Sequence, residues 1–222
     1  MHNLHLKNVR PLGEATCDIL IKNGMIVEIG KVPDQPGMPT EDGGNAIVWP
    51  GLIDANTHLD KTTWGMGWHE NNREAVLRSR IDFERENRIA LGMDPHIQSM
   101  RHAIGLAANG ATHVRSHVDI DTTHGLTLVE GVERTREALK GIIDIELVAF
   151  PQSGVMGRPG PVELLDAALA NGCEVLGGLD PCGLDRDPTG QLDVLFALAA
   201  HHAVHVAIHL HDAGDLGAST LD

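Results

Sequence analysis

The chain has 222 residues, 42% hydrophobic and 22% charged, which suits a globular protein of one large domain, or of one domain plus a small appendage. Acidic residues outnumber lysine and arginine by 31 to 17, so the formal net charge is −14. This balance argues against nucleic acid and anionic membrane as partners, because no basic cluster can neutralise phosphates. The amino terminus lacks a signal-peptide core, no apolar run reaches membrane-span length, and the three cysteines are far apart. We therefore expect a cytoplasmic protein with reduced thiols.

Residues 1–48 predict a small antiparallel β unit. The stretch "CDILIKNGMIVEIGKV" places Asn23-Gly24 between two apolar runs, which is a strong hairpin signal. The following "PDQPGMPTEDGGN" is rich in Pro, Gly, Asp and Asn and predicts a loop.

Residues 49–222 predict alternating strands and helices. A helix follows the N-cap residue Asp94 and Pro95 and ends before Gly110, and three further segments have helical spacing. This alternation predicts parallel βαβ units. A complete (β/α)8 barrel needs about 250 residues, so we expect an α/β fold with about five βα units of a TIM barrel. The predicted strands are residues 51–57, 112–118, 144–150, 174–179 and 204–210.

Polar side chains recur where these strands end. Chemistry in barrels lies at the carboxyl ends of strands, so this recurrence indicates a metal or proton-transfer site. For His58 and His209 the alternative is a buried histidine that only hydrogen-bonds the backbone. The strand-end residues are Asn56, His58, Asp60, Arg115, His117, Asp119, Gln152, Asp180, His209, His211 and Asp212.

Four motifs carry a family resemblance that runs over nearly the whole chain. "PGLIDANTHLDKT" resembles the strand-one segment of the amidohydrolase superfamily, which is usually Pro-Gly-(apolar)2-Asp-x-His-x-His-x-Asp. "VRSHVD", "AFPQSG" and "IHLHDAG" resemble strands two, three and five of its cytosine deaminase-like branch, which includes triazine-ring amidohydrolases. The resemblance implies a distorted TIM barrel with a small β-sandwich built from both chain termini. Residues 1–48 would supply half of that sandwich, and residues 49–222 an incomplete hydrolase barrel.

The resemblance also implies roles for individual residues. His58 and His209 would bind one divalent metal ion, zinc or iron. Gln152 would hydrogen-bond the ring of a small nitrogen heterocycle, because a carboxamide both donates and accepts. Asp212 would be the catalytic proton carrier, although the branch usually has a longer glutamate there. The implied reaction is hydrolytic deamination of a cytosine-like pyrimidine or a triazine ring.

Asn56 stands where the family has the first histidine of its strand-one pair. It is a weaker metal ligand than imidazole, so metal is expected to bind weakly or not at all. The family's strand-six histidine and strand-eight aspartate would lie beyond residue 222. We therefore expect a catalytically impaired chain, and a homo-oligomer formed through open barrel edges. A truncated gene, a fragment and a relative reduced to binding or assembly remain open. A cyclic-amide hydrolase is less favoured, because "EVLGGLD" has no lysine at its end.

Overall fold

The computed structural model describes residues 3–70 and 76–218, and the chain divides into two compact units, Met1–Gly51 and Leu52–Asp222. The sequence places this boundary after residue 48. That the second unit is an incomplete hydrolase barrel stays a prediction. No helix within the described ranges is long and apolar enough to cross a membrane.

The first unit is a mixed five-stranded sheet. The first three strands pair antiparallel in chain order, and the last two both run parallel to the first. The prediction of a wholly antiparallel unit was therefore wrong, and part of the predicted loop is a strand. The strands are β1 (Leu4–Pro11), β2 (Cys17–Lys22), β3 (Met25–Gly30), β4 (Thr40–Asp42) and β5 (Ile47–Val48).

The connection after β3 explains the parallel pairing. Residues 31–39 contain two prolines before Pro39, and they return the chain to the beginning of β1 before it extends again. The His5 N–H then donates to the Pro39 carbonyl at 2.9 Å, so β4 runs alongside β1 in the same direction. The hairpin prediction is confirmed, since Asn23 and Gly24 have φ of 53° and 79°, as a type I′ turn requires.

The second unit contains a curled five-stranded sheet whose strands are all parallel and lie in consecutive chain order. This confirms the predicted parallel α/β arrangement, and each strand lies within one residue of its predicted position. The strands are β6 (Leu52–Thr57), β7 (Ala111–Asp119), β8 (Asp144–Phe150), β9 (Val175–Leu179) and β10 (His205–His209).

Helices join these strands and cover one face of the sheet. The predicted cap is present, because the Asp94 carboxylate accepts a hydrogen bond from the Ile97 N–H at 2.9 Å. The helices are α1 (Leu77–Asn87), α2 (Pro95–Ala108), α3 (Thr127–Ala138), α4 (Pro161–Ala170), α5 (Pro188–His202) and α6 (Asp215–Ala218), with a π-helix at Pro181–Asp185.

Two apolar clusters form the interior of this unit. The larger one lies between the sheet and α2–α5 and includes Val118, Leu147 and Leu165, all of them fully buried. The smaller one joins Ile81 of α1 to Phe150 at the end of β8 and to the π-helix. It packs α1 beside the carboxyl ends of the strands, and this packing brings the residue after α1 to the candidate site.

Candidate metal centre

Three imidazoles surround the ring of Phe150 at the carboxyl edge of the parallel sheet. His58 follows β6, His117 lies near the end of β7, and His209 ends β10. The His117 ring centroid lies 4.4 Å from that of His209 and 5.7 Å from that of His58. Phe150 lies 5.5, 5.2 and 4.8 Å from His58, His117 and His209, respectively. The parallel strands thus bring together three nitrogen donors that are far apart in sequence.

The environment of His117 and His209 lowers the pKa of both rings and so favours their neutral form. Burial, and then the nearby His209 and His58, lower the pKa of His117 to about 4. Burial also lowers the pKa of His209, and His58 and His211 add to the effect. Neutral imidazole is the form that ligates a metal, so these two rings suit a metal ion better than a proton.

Two buried carboxylates lie beside His58. The His58 Nδ1 is 3.7 Å from Asp60 Oδ1 and 3.6 Å from Asp119 Oδ1. All three atoms are buried and lack a hydrogen-bond partner within the described part of the chain. The Oδ2 atoms are engaged, because that of Asp60 accepts the Asp119 N–H at 3.0 Å and that of Asp119 accepts from Arg88 at 2.8 Å. Each carboxylate therefore has one oxygen held by the protein and one facing the imidazole.

Arg88 and Lys61 balance this buried negative charge. Arg88 is 2% exposed, and its Nη1 lies 3.9 Å from Asp60 Oδ2. The Lys61 ammonium lies 3.4 Å from Asp119 Oδ2 and 2.9 Å from Glu84. Burial would raise the pKa of Asp60, but His58, Lys61 and Arg88 outweigh it and lower that pKa. Burial dominates at Asp119 and raises the pKa of that carboxyl.

Of the three predicted metal ligands, the structure brings His58 and His209 to the same aromatic ring. Asn56 is exposed, and the pairing of β6 with β7 is irregular between Asp54 and Thr57. Such an irregularity interrupts the strict alternation of side chains along a strand, on which the expectation of a shared face for Asn56 and His58 rests. The recorded contact of Asn56 is its N–H donating to Asp54 at 3.3 Å. Its role as a ligand stays a prediction.

The two predicted substrate-handling residues lie beyond β8 and β10. Gln152 is half-buried, and its N–H donates to the Phe150 carbonyl at 2.9 Å, which places it directly beyond the cluster. The Asp212 carboxylate accepts a hydrogen bond from the Gly183 N–H at 3.0 Å, so it is held against the π-helix. The binding role of Gln152 and the catalytic role of Asp212 stay predictions.

A carboxylate–imidazole pair lies next to Asp212. Asp180 Oδ2 is 3.0 Å from His211 Nδ1, and Asp180 Oδ1 accepts the Asp212 N–H at 3.1 Å. These residues line a cavity of about 230 Å³ together with Arg78. Asp180 therefore fixes both the backbone after β10 and the His211 ring.

Sequence reasoning assigned no role to His117, Asp119 or Arg88. The first two lie in the motif "VRSHVD", where two-residue spacing at the end of a strand could have indicated that both reach the site. Arg88 had no such signal. It follows a helix that the sequence analysis did not predict, and it reaches the carboxylates only through the packing of α1.

The donor set fits a divalent transition metal. His58, Asp60 and Asp119 each offer one donor atom, and these atoms lie within 4.8 Å of one another. The His117 ring lies next to His58, and the His209 ring lies next to His117. Nitrogen and carboxylate ligands suit zinc or ferrous iron. The buried donor atoms without partners are the observation that carries this fit, since such atoms are normally satisfied.

No protein-family model matches the chain. The chain is 30% identical over 216 residues to N-isopropylammelide isopropyl amidohydrolase of Pseudomonas sp. (strain ADP), covering 94% of this chain and 53% of that protein. The crystal structure of N-isopropylammelide isopropylaminohydrolase from Burkholderia multivorans superposes with a TM-score of 0.94 at 43% identity, covering all of this chain and 56% of the other. That of 5-methylcytosine deaminase from Klebsiella pneumoniae, liganded with phosphonocytosine, gives 0.72 at 25% identity, with 99% and 54% covered.

In (β/α)8 barrels the functional side chains lie at the carboxyl ends of parallel strands, which is where these imidazoles lie. With these relatives, the chain belongs to the amidohydrolase superfamily, in its cytosine deaminase-like branch. The chain spans about half the length of the relatives it matches.

Proposed function

We propose that this chain forms part of a metal-dependent hydrolase that removes an amino or alkylamino substituent from a triazine or pyrimidine ring. The observation that carries the proposal is the cluster of His58, His117 and His209 around Phe150, backed by two buried carboxylates. The proposal has a structural part as well: the five parallel strands belong to a (β/α)8 barrel, and the first unit contributes to a β-sandwich.

In this proposal His58 and His209 hold the metal ion. When bound, a divalent metal supplies hydroxide at neutral pH by lowering the pKa of its water. Asp60 Oδ1 and Asp119 Oδ1, the unpartnered oxygens beside His58 Nδ1, would add oxygen donors to this set. Gln152 donates to and accepts from the amide-like edge of the ring. Asp212 carries a proton to the ring nitrogen. For this, its carboxylate must release the hydrogen bond from the Gly183 N–H and contact the substrate instead.

A triazine is the favoured ring class. The relatives named for N-isopropylammelide are 30% and 43% identical to this chain, whereas the cytosine-type relative is 25% identical. An alkylamino group on a triazine is therefore the first substituent to test, and the amino group of cytosine is the second.

We also propose that Asn56 weakens catalysis. A neutral amide oxygen binds zinc or iron less tightly than imidazole does, so the metal would be retained poorly. This favours a second candidate function, a protein that binds a nitrogen heterocycle without turning it over. The exposed Asn56 and the engaged Asp212 carboxylate are the observations in its favour.

An assay of amine release distinguishes the two functions. The chain is incubated with zinc or ferrous iron and with N-isopropylammelide or cytosine, and isopropylamine or ammonia is measured. The hydrolase proposal expects slow, metal-dependent release that is abolished by His58→Ala. The matched control is His113→Ala, because His113 is exposed on β7 and its recorded contacts are local, with Thr112 Oγ1 at 2.9 Å and Asp144 at 3.3 Å. Metal-independent binding of the ring without release would support the second candidate instead.

The proposal also includes a cytoplasmic location and self-association of the chain through the edge of its parallel sheet. Leu52 and Ile53 of β6 are 59% and 69% exposed, and among the described strands β6 pairs only with β7. An exposed apolar edge of this kind favours pairing with a second copy. Sedimentation over a range of concentrations tests it, and a monomer at all concentrations would contradict it.

A further inference from the structure

We propose that Asp166, His201 and His202 form a second transition-metal site, which connects α4 to the end of α5. One donor atom from each of the three residues lies within 4.8 Å of the others. None of them belongs to a strand end or touches the histidine cluster around Phe150 in the described contacts. The site is therefore separate from the candidate catalytic centre.

The geometry already joins two of the three donors. His202 Nε2 is 2.7 Å from Asp166 Oδ1, and the two histidine rings are 4.8 Å apart, nearly perpendicular. Zinc takes imidazole nitrogen and carboxylate oxygen at about 2.0–2.2 Å in tetrahedral geometry, which places ligand atoms about 3.4 Å from one another. The 2.7 Å pair of His202 and Asp166 would open slightly to admit the ion, and His201 would turn its ring towards it. The Asp166 side chain is 50% exposed and His201 is exposed, so both side chains can rotate without repacking the interior.

The electrostatic surroundings favour a cation. His201 and His202 lie in the last turn of α5, where the helix macrodipole presents negative partial charge. The chain as a whole carries a formal net charge of −14, which also attracts cations.

The donor set selects the class of metal. Two imidazoles and one carboxylate suit zinc, cobalt, nickel or copper, whereas magnesium and calcium prefer oxygen donors alone. A metal there would crosslink two helices and stabilise the folded state by mass action, since the unfolded chain does not hold the three residues together.

The competing explanation is that His202 and Asp166 form a simple ion pair between the helices. His201 separates the two explanations, because its recorded contact is with the His202 ring and none with Asp166 is recorded among the described residues. Removing the His201 imidazole should leave the ion pair intact and remove a metal ligand.

The experiment is a zinc titration of the intact chain, followed by thermal unfolding and by metal analysis after gel filtration. A His58→Ala/His209→Ala variant serves to remove the candidate catalytic centre. At free zinc 100-fold above the dissociation constant of the Asp166 site, the unfolding equilibrium constant should fall about 100-fold in this variant. His201→Gln and Asp166→Asn, made in the same background, should lose that response, whereas His113→Gln should keep it.

Cobalt provides the second readout. Bound Co²⁺ should give the absorption bands of a low-coordinate site in the His58→Ala/His209→Ala variant, and His201→Gln should remove them. Magnesium should produce neither the stabilisation nor a competition with zinc. Equal zinc affinity and stoichiometry with and without the His201 imidazole would overturn the proposal. So would an Asp166→Asn destabilisation that is the same with and without zinc.

Discussion

Replacing Arg88 by methionine should destabilise the fold strongly. Arg88 is 2% exposed, and its guanidinium donates to Asp119 at 2.8 Å and lies 3.9 Å from Asp60. Removing one partner of a buried ion pair leaves an uncompensated charge, at a cost of about 3–5 kcal/mol. The matched control is Arg115→Met, since Arg115 is 41% exposed and pairs with Glu146 at the surface. Surface pairs of this kind contribute under about 1 kcal/mol.

The cost of Arg88→Met should depend on pH in a defined direction. Burial already raises the folded-state pKa of Asp119, and losing the Arg88 charge should raise it further. A carboxyl with a raised folded-state pKa favours the folded state at low pH and loses that contribution as pH rises through the folded pKa. The free-energy gap between variant and wild type should therefore widen from acid to neutral pH.

Urea unfolding at a series of pH values measures this gap. Adding Asp119→Asn to Arg88→Met should recover part of the loss, because the double variant buries no unpaired Asp119 charge. A cost of Arg88→Met below about 0.5 kcal/mol at pH 7, the range of an ordinary surface substitution, would refute the buried charge network. So would a cost that does not change with pH.

Three further predictions concern packing, thiol reactivity and the metal. Gly131→Ala should lower the free energy of unfolding by about 1–3 kcal/mol, because the new Cβ would meet Pro95 at 2.6 Å. The control Gly105→Ala has 3.8 Å to its nearest neighbour and should raise it by about 0.5–1 kcal/mol through the helix propensity of α2. Equal melting temperatures of the two variants would contradict the packing of α2 against α3. Cys173 should resist alkylation at pH 8 until the chain unfolds, because burial raises the pKa of its thiol to about 12; rapid labelling of this residue in the native state would be inconsistent with its burial. Asn56→His should raise zinc affinity measurably in equilibrium dialysis, since imidazole replaces an amide; unchanged affinity would place Asn56 outside the coordination sphere.

The sequence predicted the parallel strands because their signals are local. Apolar runs such as "IDIELVAF" alternate with capped helices, and chain order then places strands side by side. His58 and His209 could be assigned for the same reason, since the end of a parallel strand has a known location in the sheet. The same strand-end argument applies to His117, but the sequence analysis did not assign this residue as a metal ligand.

The remaining features depend on contacts that no local pattern contains. The direction of β4 depends on how the proline-rich connection returns to β1, and a turn-rich composition does not encode that path. Arg88 reaches Asp119 only because Ile81 anchors α1 against Phe150. The hydrogen bond from Gly183 to Asp212 depends on the π-helix, a rare form that composition does not predict.

Anomalous X-ray diffraction at the zinc edge, on crystals of this chain soaked in zinc, is the most direct test of the candidate metal centre. We expect an anomalous peak at about 2.0–2.2 Å from an imidazole nitrogen of both His58 and His209, next to Phe150. The peak should disappear in crystals of His58→Ala. Full zinc occupancy at Asp166, His201 and His202 with no peak between His58 and His209 would contradict the metal centre and, with it, the proposed hydrolase.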